Sequence, residues 1–342
     1  MAAAPLWLDV LIFASLALLG VGYLWKARER HLVRIPGFVG VGIFWLVRAW
    51  IYVEENSDAV NIAFTGLAGP FFVYLAYHEW LSFRKDEDPD ALRWATGVVF
   101  LAGMLYFSVD RLELVASGLI IVVSWQTLGL MNLFGYGAGW TVGEIAPVSG
   151  ELGAPIVGSG VTIILACTAF EAIAIFMGAV YATQMRKDPW AEYKHINEKK
   201  VAKLRKYSPH QRKVLGLIYT VPVIWVLNLV RNASVIFFYN EGTWDAQAAA
   251  VGMTGFEFSH VILGKGLSFV ALIGIAFILF RTCPELLDNI NGLMDLPRRG
   301  NKGKGGSGKG SAESQPKKAR ASELTAPREG PTADAPATLA PE

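Results

Sequence analysis

Three side chains that can perform acyl transfer lie in apolar segments between residues 157 and 282. Cys167 lies in LACTAFEAIAIF, Arg231 in VLNLVRNASV and His260 in FEFSHVILGKG. A thiolate can attack a carbonyl carbon, an imidazole can transfer protons, and a guanidinium can stabilise negative charge that develops on oxygen. An ionisable residue inside a membrane-spanning segment is costly and therefore indicates function. The three residue types together predict a thiol acyl-transfer site.

Further polar residues accompany two of these side chains and are interpreted as supporting residues. Glu171 follows Cys167 by four positions, which would place both on one face of a helix. Asn228, Arg231 and Asn232 have the spacing i, i+3, i+4 and would form one polar stripe. The sequence therefore predicts a nucleophile with a neighbouring carboxylate on one helix and an arginine between two amides on another.

Each of these residues also has a structural interpretation. A free cysteine usually packs as a small hydrophobic residue. Arg231 could be a structural arginine that pairs with Glu171 or donates to backbone carbonyls, and His260 could be hydrated near the membrane interface. Cys283, in RTCPELLDNI, lies at the opposite end of the last apolar segment and is expected to be a packed or interfacial thiol. Two rival functions follow: a transporter whose Arg231, Glu171 and His260 line an ion or proton path, and a non-catalytic scaffold that presents a basic tail.

The composition predicts an all-α, polytopic membrane protein. Of 342 residues 53% are hydrophobic and only 18% are charged, whereas a soluble domain carries about 25% charge. The mean hydropathy is +0.37. Two cysteines exclude a disulfide scaffold and a Cys-rich metal site. No cofactor, metal or nucleic-acid partner is expected.

About eight apolar runs are long enough to cross a bilayer, which needs roughly 20 residues of helix. They are 7–25, 36–53, 60–83, 91–109, 112–131, 157–185, 214–239 and 257–282. From Pro297 the chain becomes rich in Gly, Lys, Ala, Pro and Ser and lacks aromatic residues. We therefore expect a transmembrane domain over residues 1–296 and a disordered basic tail over 297–342.

Lysine and arginine in the loops predict the orientation, because they favour the cytoplasmic side. The segment 186–213 has ten of them and the tail has nine, whereas 132–156 and 240–256 have none. This places the segment 186–213 and the tail inside, and Cys167, Arg231 and His260 near the outer face. Eight spans would then put Lys26, Arg28, Arg30 and Arg34 outside, against the rule. Either one span between 60 and 156 is miscounted or the rule fails locally.

The same segments resemble the exosortase/archaeosortase family. The resemblance rests on LACTAFEAIAIFMGAV around Cys167, VPVIWVLNLVRNASVIFFY around Arg231 and FSHVILGKGLSFVALIGIAF around His260, and it covers roughly residues 90–300. PELLDNINGLMDLPRRG closes the similar region. The family often has glycine after Cys-Thr, where this chain has Ala169. Members carry either His or Arg at the position of His260.

The resemblance implies a multi-pass transpeptidase of the cell membrane whose active site faces outward. Its partners would be C-terminal sorting signals of secreted or surface proteins, made of a short motif, a transmembrane helix and a basic cluster. In the archaeosortase branch the motif is Pro-Gly-Phe, and the processed protein becomes attached to a membrane lipid. Cys167 would then form a thioester, Arg231 would stabilise the oxyanion, and His260 would transfer protons.

Overall fold

The computed structural model describes residues 5–55, 59–148, 151–186 and 206–301. Most of the basic segment 186–213 and residues 302–342 of the predicted tail lie outside the described residues. The last described helix runs Leu296–Asn301, so the predicted start of the tail at Pro297 falls within a helix. The predicted disorder of the tail stays a prediction.

The predicted fold class, an all-α polytopic membrane protein, is confirmed. Among the described residues, seven helical segments are long and apolar enough to cross a membrane. They are α1 (Leu6–Leu24), α2 (Arg30–Glu54), α3 (Ala59–Lys85), α4 (Asp90–Arg111), α5 (Glu113–Leu133), α7 (Pro209–Asn240) and the segment Gly255–Thr282. That last segment consists of α9 (Gly255–Phe258), a π-helical turn (Ser259–Lys265) and α10 (Gly266–Thr282). Shorter helices are α6 (Phe170–Ala182), α8 (Asp245–Ala250), α11 (Pro284–Met294) and α12 (Leu296–Asn301).

The predicted span 157–185 is not one helix, so this prediction is wrong. Its first part belongs to a small antiparallel sheet in which β3 (Glu151–Val157) pairs with β1 (Thr141–Val142), β2 (Ala146–Val148) and β4 (Val161–Ile164). Gly158 and Gly160, both at positive φ, make the turn between β3 and β4. Short apolar runs fit a buried strand as well as a helix, which is why hydropathy alone misassigned this segment.

The helices α1, α4, α6 and α7 share a common end. A Cβ on Gly97 of α4 would lie 2.6 Å from the Tyr23 ring of α1 and 2.8 Å from Ala182 Cβ of α6. Lys213 Nζ, near the start of α7, donates to the Tyr181 carbonyl at 2.8 Å. We call this the basic end. Arg111, at the C-terminus of α4, instead pairs with Asp9 of α1 at 2.5 Å, which marks the opposite end.

Buried ion pairs join the helices at the basic end. The Arg34 side chain is fully buried, donates from Nε to the Gly22 carbonyl at 2.9 Å and lies 3.3 Å from a Glu79 carboxylate oxygen. His31 contacts the other oxygen of Glu79. Arg212 pairs with the buried Glu285 at 2.8 Å. Since removing one partner would leave a buried charge uncompensated, these pairs fix the helices to one another.

Candidate active site

Cys167 lies on a sharp turn between a strand and a helix. β4 ends at Ile164, a 3₁₀ turn covers Leu165–Cys167, and α6 begins at Phe170. Thr168 closes the turn, because its backbone N–H and its hydroxyl donate to the Leu165 carbonyl at 2.9 and 2.7 Å. Cys167 is half-buried, whereas Thr168 is fully buried. The turn therefore holds its threonine inside and leaves the thiol-bearing residue partly accessible.

Two amides of α7 hold the backbone of Cys167. The Nδ2 groups of Asn228 and Asn232 donate to the Cys167 carbonyl at 2.7 and 2.9 Å. Both asparagines are buried, and a buried amide that lost its partner would cost about 1–3 kcal/mol. The predicted polar stripe of α7 thus anchors the turn that carries the candidate nucleophile.

Arg231 is linked to Cys167 through one of these amides. Its guanidinium Nη2 and Nε donate to Asn232 Oδ1 at 2.9 and 3.3 Å, while Asn232 Nδ2 donates to the Cys167 carbonyl. A charged donor at one end of such a chain polarises the amide and strengthens the bond at its other end. The half-buried guanidinium retains further N–H groups that can meet a developing oxyanion.

His260 lies in the π-helical turn Ser259–Lys265, a geometry that is frequent at functional sites. Its imidazole stacks on the Phe256 ring with centroids 5.6 Å apart, and Phe256 in turn contacts Tyr239 of α7 at 5.5 Å. A Cβ on Gly264 would lie 3.9 Å from Arg231 Cδ. The structure therefore packs the turn that carries His260 against the part of α7 that carries Arg231.

Glu171 does not share a helix face with Cys167, and that part of the prediction is wrong. Cys167 precedes α6, whereas Glu171 lies in its first turn and is exposed. Ala169 separates the two with a left-handed backbone, which breaks the helical spacing on which the prediction depended. Within the described ranges, no three His, Cys, Asp or Glu side chains are gathered where they could hold a metal ion.

The chain is similar to two archaeosortases over most of its length. It is 24% identical over 270 residues to archaeosortase A of Natronomonas pharaonis, covering 74% of this chain and 76% of that protein. It is 23% identical over 310 residues to archaeosortase A of Haloferax volcanii, covering 84% of this chain and 92% of that protein. These matches support assignment of the chain to the archaeosortase family. No family model matches it, and no solved structure gives a significant match.

The second cysteine of the chain is remote from the site. Cys283 is fully buried between α10 and α11 at the basic end, where its Sγ contacts the Arg212 carbonyl at 3.7 Å. Burial raises the pKa of the Cys283 thiol to about 11. At neutral pH it is therefore a protonated, packed thiol, as expected from its position in the sequence.

Ala169 is a site residue that the sequence did not single out as functional. Its backbone is left-handed, with φ 64° and ψ −3°, immediately before α6. This conformation costs an L-residue roughly 1–2 kcal/mol, and glycine adopts it freely. The alanine gives no sign of the conformation on its own, because φ depends on how β4 and α6 are joined.

Replacing Ala169 by glycine should preserve the fold and the activity. Relief of the left-handed strain, roughly 1–2 kcal/mol, exceeds the loss of one buried methyl group, about 0.8 kcal/mol. Ala169→Gly should therefore leave thermal stability unchanged or raise it by up to about 1 kcal/mol. The control Ala172→Gly, within α6, should destabilise by about 1 kcal/mol. Equal losses in the two variants, measured by thermal unfolding in detergent, would contradict strain at Ala169.

Proposed function

We propose that the chain is a membrane cysteine transpeptidase that processes C-terminal sorting signals of surface proteins. The family matches support a sorting role of this general kind. The observation that carries the proposal is the bridge from Arg231 through Asn232 to the Cys167 carbonyl. This bridge ties a guanidinium to the turn that carries a half-buried thiol. Acyl transfer needs a nucleophile and an oxyanion donor that act on one substrate carbonyl group, and Cys167 and Arg231 would supply them.

The reaction would proceed through a thioester. The Cys167 thiolate attacks the scissile carbonyl, and Arg231 stabilises the resulting oxyanion. The C–N bond breaks, the C-terminal fragment leaves as an amine that takes a proton from His260, and the substrate remains bound to sulfur. A hydroxyl or amine of the acceptor lipid then attacks the thioester and gives its proton to His260. Breaking the C–S bond regenerates the thiolate.

The proposed orientation places this site at the outer face of the membrane. The loop after α1 and the start of α7 both lie at the basic end, with Lys26, Arg28 and Lys213. Cys167, Arg231 and His260 lie toward the other end, where 132–156 and 240–256 carry no lysine or arginine. The basic end would therefore face the cytoplasm. A scissile bond just outside a substrate's transmembrane helix would then meet Cys167.

The function is tested with a tagged surface protein that ends in a Pro-Gly-Phe motif, an apolar helix and a basic cluster. Cells that contain the wild-type chain should release the C-terminal fragment and transfer the remainder to a lipid-soluble form. The matched control substrate keeps the helix and the basic cluster but has the motif replaced by three alanines, and it should remain uncut. Equal processing of both substrates, or of neither, would contradict the proposed recognition. Gel mobility and detergent partitioning are the measurements.

A further inference from the structure

The two ends of α5 lie at the same end of the helix bundle. Arg111, two residues before α5 begins at Glu113, pairs with Asp9 at the end opposite the basic end. Beyond the C-terminus of α5, the Tyr136 ring packs on Phe237 with centroids 4.5 Å apart. Phe237 lies in the last turn of α7, which ends at Asn240, and is therefore also remote from the basic end. Although α5 is long enough to cross a membrane, it begins and ends at the same face of the bundle.

The two sides of α5 differ in what they contact. One side packs on the sheet and on the turn that carries Cys167. Its buried residues follow helical spacing: Ala116, Ile120, Val123, Ser124, Thr127, Leu128 and Met131. The other side is exposed and apolar, with a stripe formed by Leu114, Ile121, Val122, Trp125 and Leu133. No residue from Leu114 to Phe134 is charged.

We propose that α5 does not cross the membrane but lies within one leaflet, with its exposed stripe against lipid acyl chains. The occupant is lipid because the stripe resembles the exposed face of the spanning helix α10, with Leu267, Phe269 and Val270. An uncharged apolar surface of this kind is stable in contact with hydrocarbon and costly in water. The inference concerns membrane topology and does not depend on the proposed reaction.

This arrangement resolves the conflict in the charges of the loops. The helices α1, α2, α3 and α4 cross in turn, α5 stays in one leaflet, and α6 returns the chain to the basic end. With α7 and the segment Gly255–Thr282, the chain crosses seven times. With an odd number of crossings, the chain starts at the end opposite the basic end. The basic loops after α1 and before α7 and the basic tail then all lie on one side of the membrane, as the charge rule requires. The sequence left two explanations open, and this arrangement corresponds to the first of them. The predicted span 112–131, which lies between residues 60 and 156, was counted as a crossing although α5 does not cross.

Cysteine labelling tests on which side α5 begins. Single cysteines replace Glu113 before α5, Ala138 after α5, Thr243 and His210, all exposed, in a chain whose Cys167 and Cys283 are serine. Each thiol is first shown to react in detergent, and an impermeant maleimide is then applied to intact and to permeabilised cells. The thiols at positions 113, 138 and 243 should react on one side of the membrane, and the thiol at 210 on the other. If either 113 or 138 reacts on the side of 210, or in detergent only, α5 is not a one-leaflet helix. If position 210 reacts on intact cells and position 243 reacts only after permeabilisation, the proposed cytoplasmic orientation of the basic end is wrong, but the one-leaflet placement of α5 is not affected.

Quenching by lipid tests what covers the exposed stripe. A fluorophore is attached to a cysteine at Val122 in protein reconstituted into phosphatidylglycerol vesicles with brominated acyl chains. It should be quenched as strongly as one at Val270 of α10, whereas one at Ala138, exposed in the loop after α5, should be quenched several-fold less. Quenching at position 122 no stronger than at 138 would mean that water or another protein segment covers the stripe.

Discussion

Serine in place of Cys167 should abolish processing of the tagged substrate. A hydroxyl is a weak nucleophile without a strong base. The side chains that bond the backbone of Cys167 are the amides of Asn228 and Asn232, which are not bases. The loss should be on the order of 1000-fold or more, as found when a nucleophile is removed from other acyl-transfer sites. Processing is measured by pulse-chase at equal amounts of membrane-inserted enzyme.

Cys283→Ser is the matched control for this change. It replaces the same atoms in a thiol that is buried at the basic end and protonated at neutral pH. Processing should stay within about twofold of wild type even if thermal stability falls, because a buried thiol contributes packing alone. Full activity of Cys167→Ser would exclude the thioester mechanism and favour the transporter, for which that change should be nearly silent.

Arg231→Lys should fail to restore the activity that Arg231→Ala loses. The guanidinium donates two bonds to Asn232 and has further N–H groups in a fixed plane. A lysine ammonium offers one point charge on a flexible stem and loses its proton more readily when buried. Loss of one oxyanion donor costs on the order of 100- to 1000-fold in rate. Both variants should show this loss mainly in kcat, because the interaction forms in the transition state.

Arg281→Lys provides the control for a general arginine effect. Arg281 is an exposed residue in the last turn of α10, at the basic end. Its conversion to lysine should leave turnover unchanged, since a surface charge remains in place. Near wild-type turnover of Arg231→Lys would instead show that Arg231 supplies only a diffuse positive charge, and the assignment of an oxyanion donor would fail.

The polar pattern of α7 shows how far the residues alone carried the prediction of the site. The spacing of Asn228, Arg231 and Asn232 was sufficient to place them on one face of a helix, because a helix repeats every 3.6 residues. That both asparagines donate to the Cys167 carbonyl could not be predicted from the sequence. It depends on the position of a turn 61 residues earlier in the chain, against which Asn228 donates its bond. Contacts of that range arise from packing and have no local signature.

The segment before Cys167 shows that hydropathy alone does not distinguish a membrane-spanning helix from a buried hairpin. Residues 157–169 are apolar enough to be taken for the beginning of a span, yet they form part of a hairpin, a 3₁₀ turn and a left-handed residue. A backbone buried in apolar surroundings must satisfy its N–H and C=O groups, and here β3 satisfies those of β4. An apolar segment can satisfy these groups as a helix or as a strand, and the strand forms only where a partner strand is available.

The sequence by itself determined that the chain belongs in a membrane, which residues could perform chemistry there, and which loops carry the positive charge. These properties are local, because burial cost and charge belong to individual residues and short runs. Only the tertiary structure decided that Cys167 lies on a strand–turn–helix junction, that Asn232 connects it to Arg231, and that both ends of α5 lie at one end of the bundle. These features depend on which apolar surfaces pack together. Apolar surfaces of similar composition can pack against one another in several ways, so composition alone does not specify the partner.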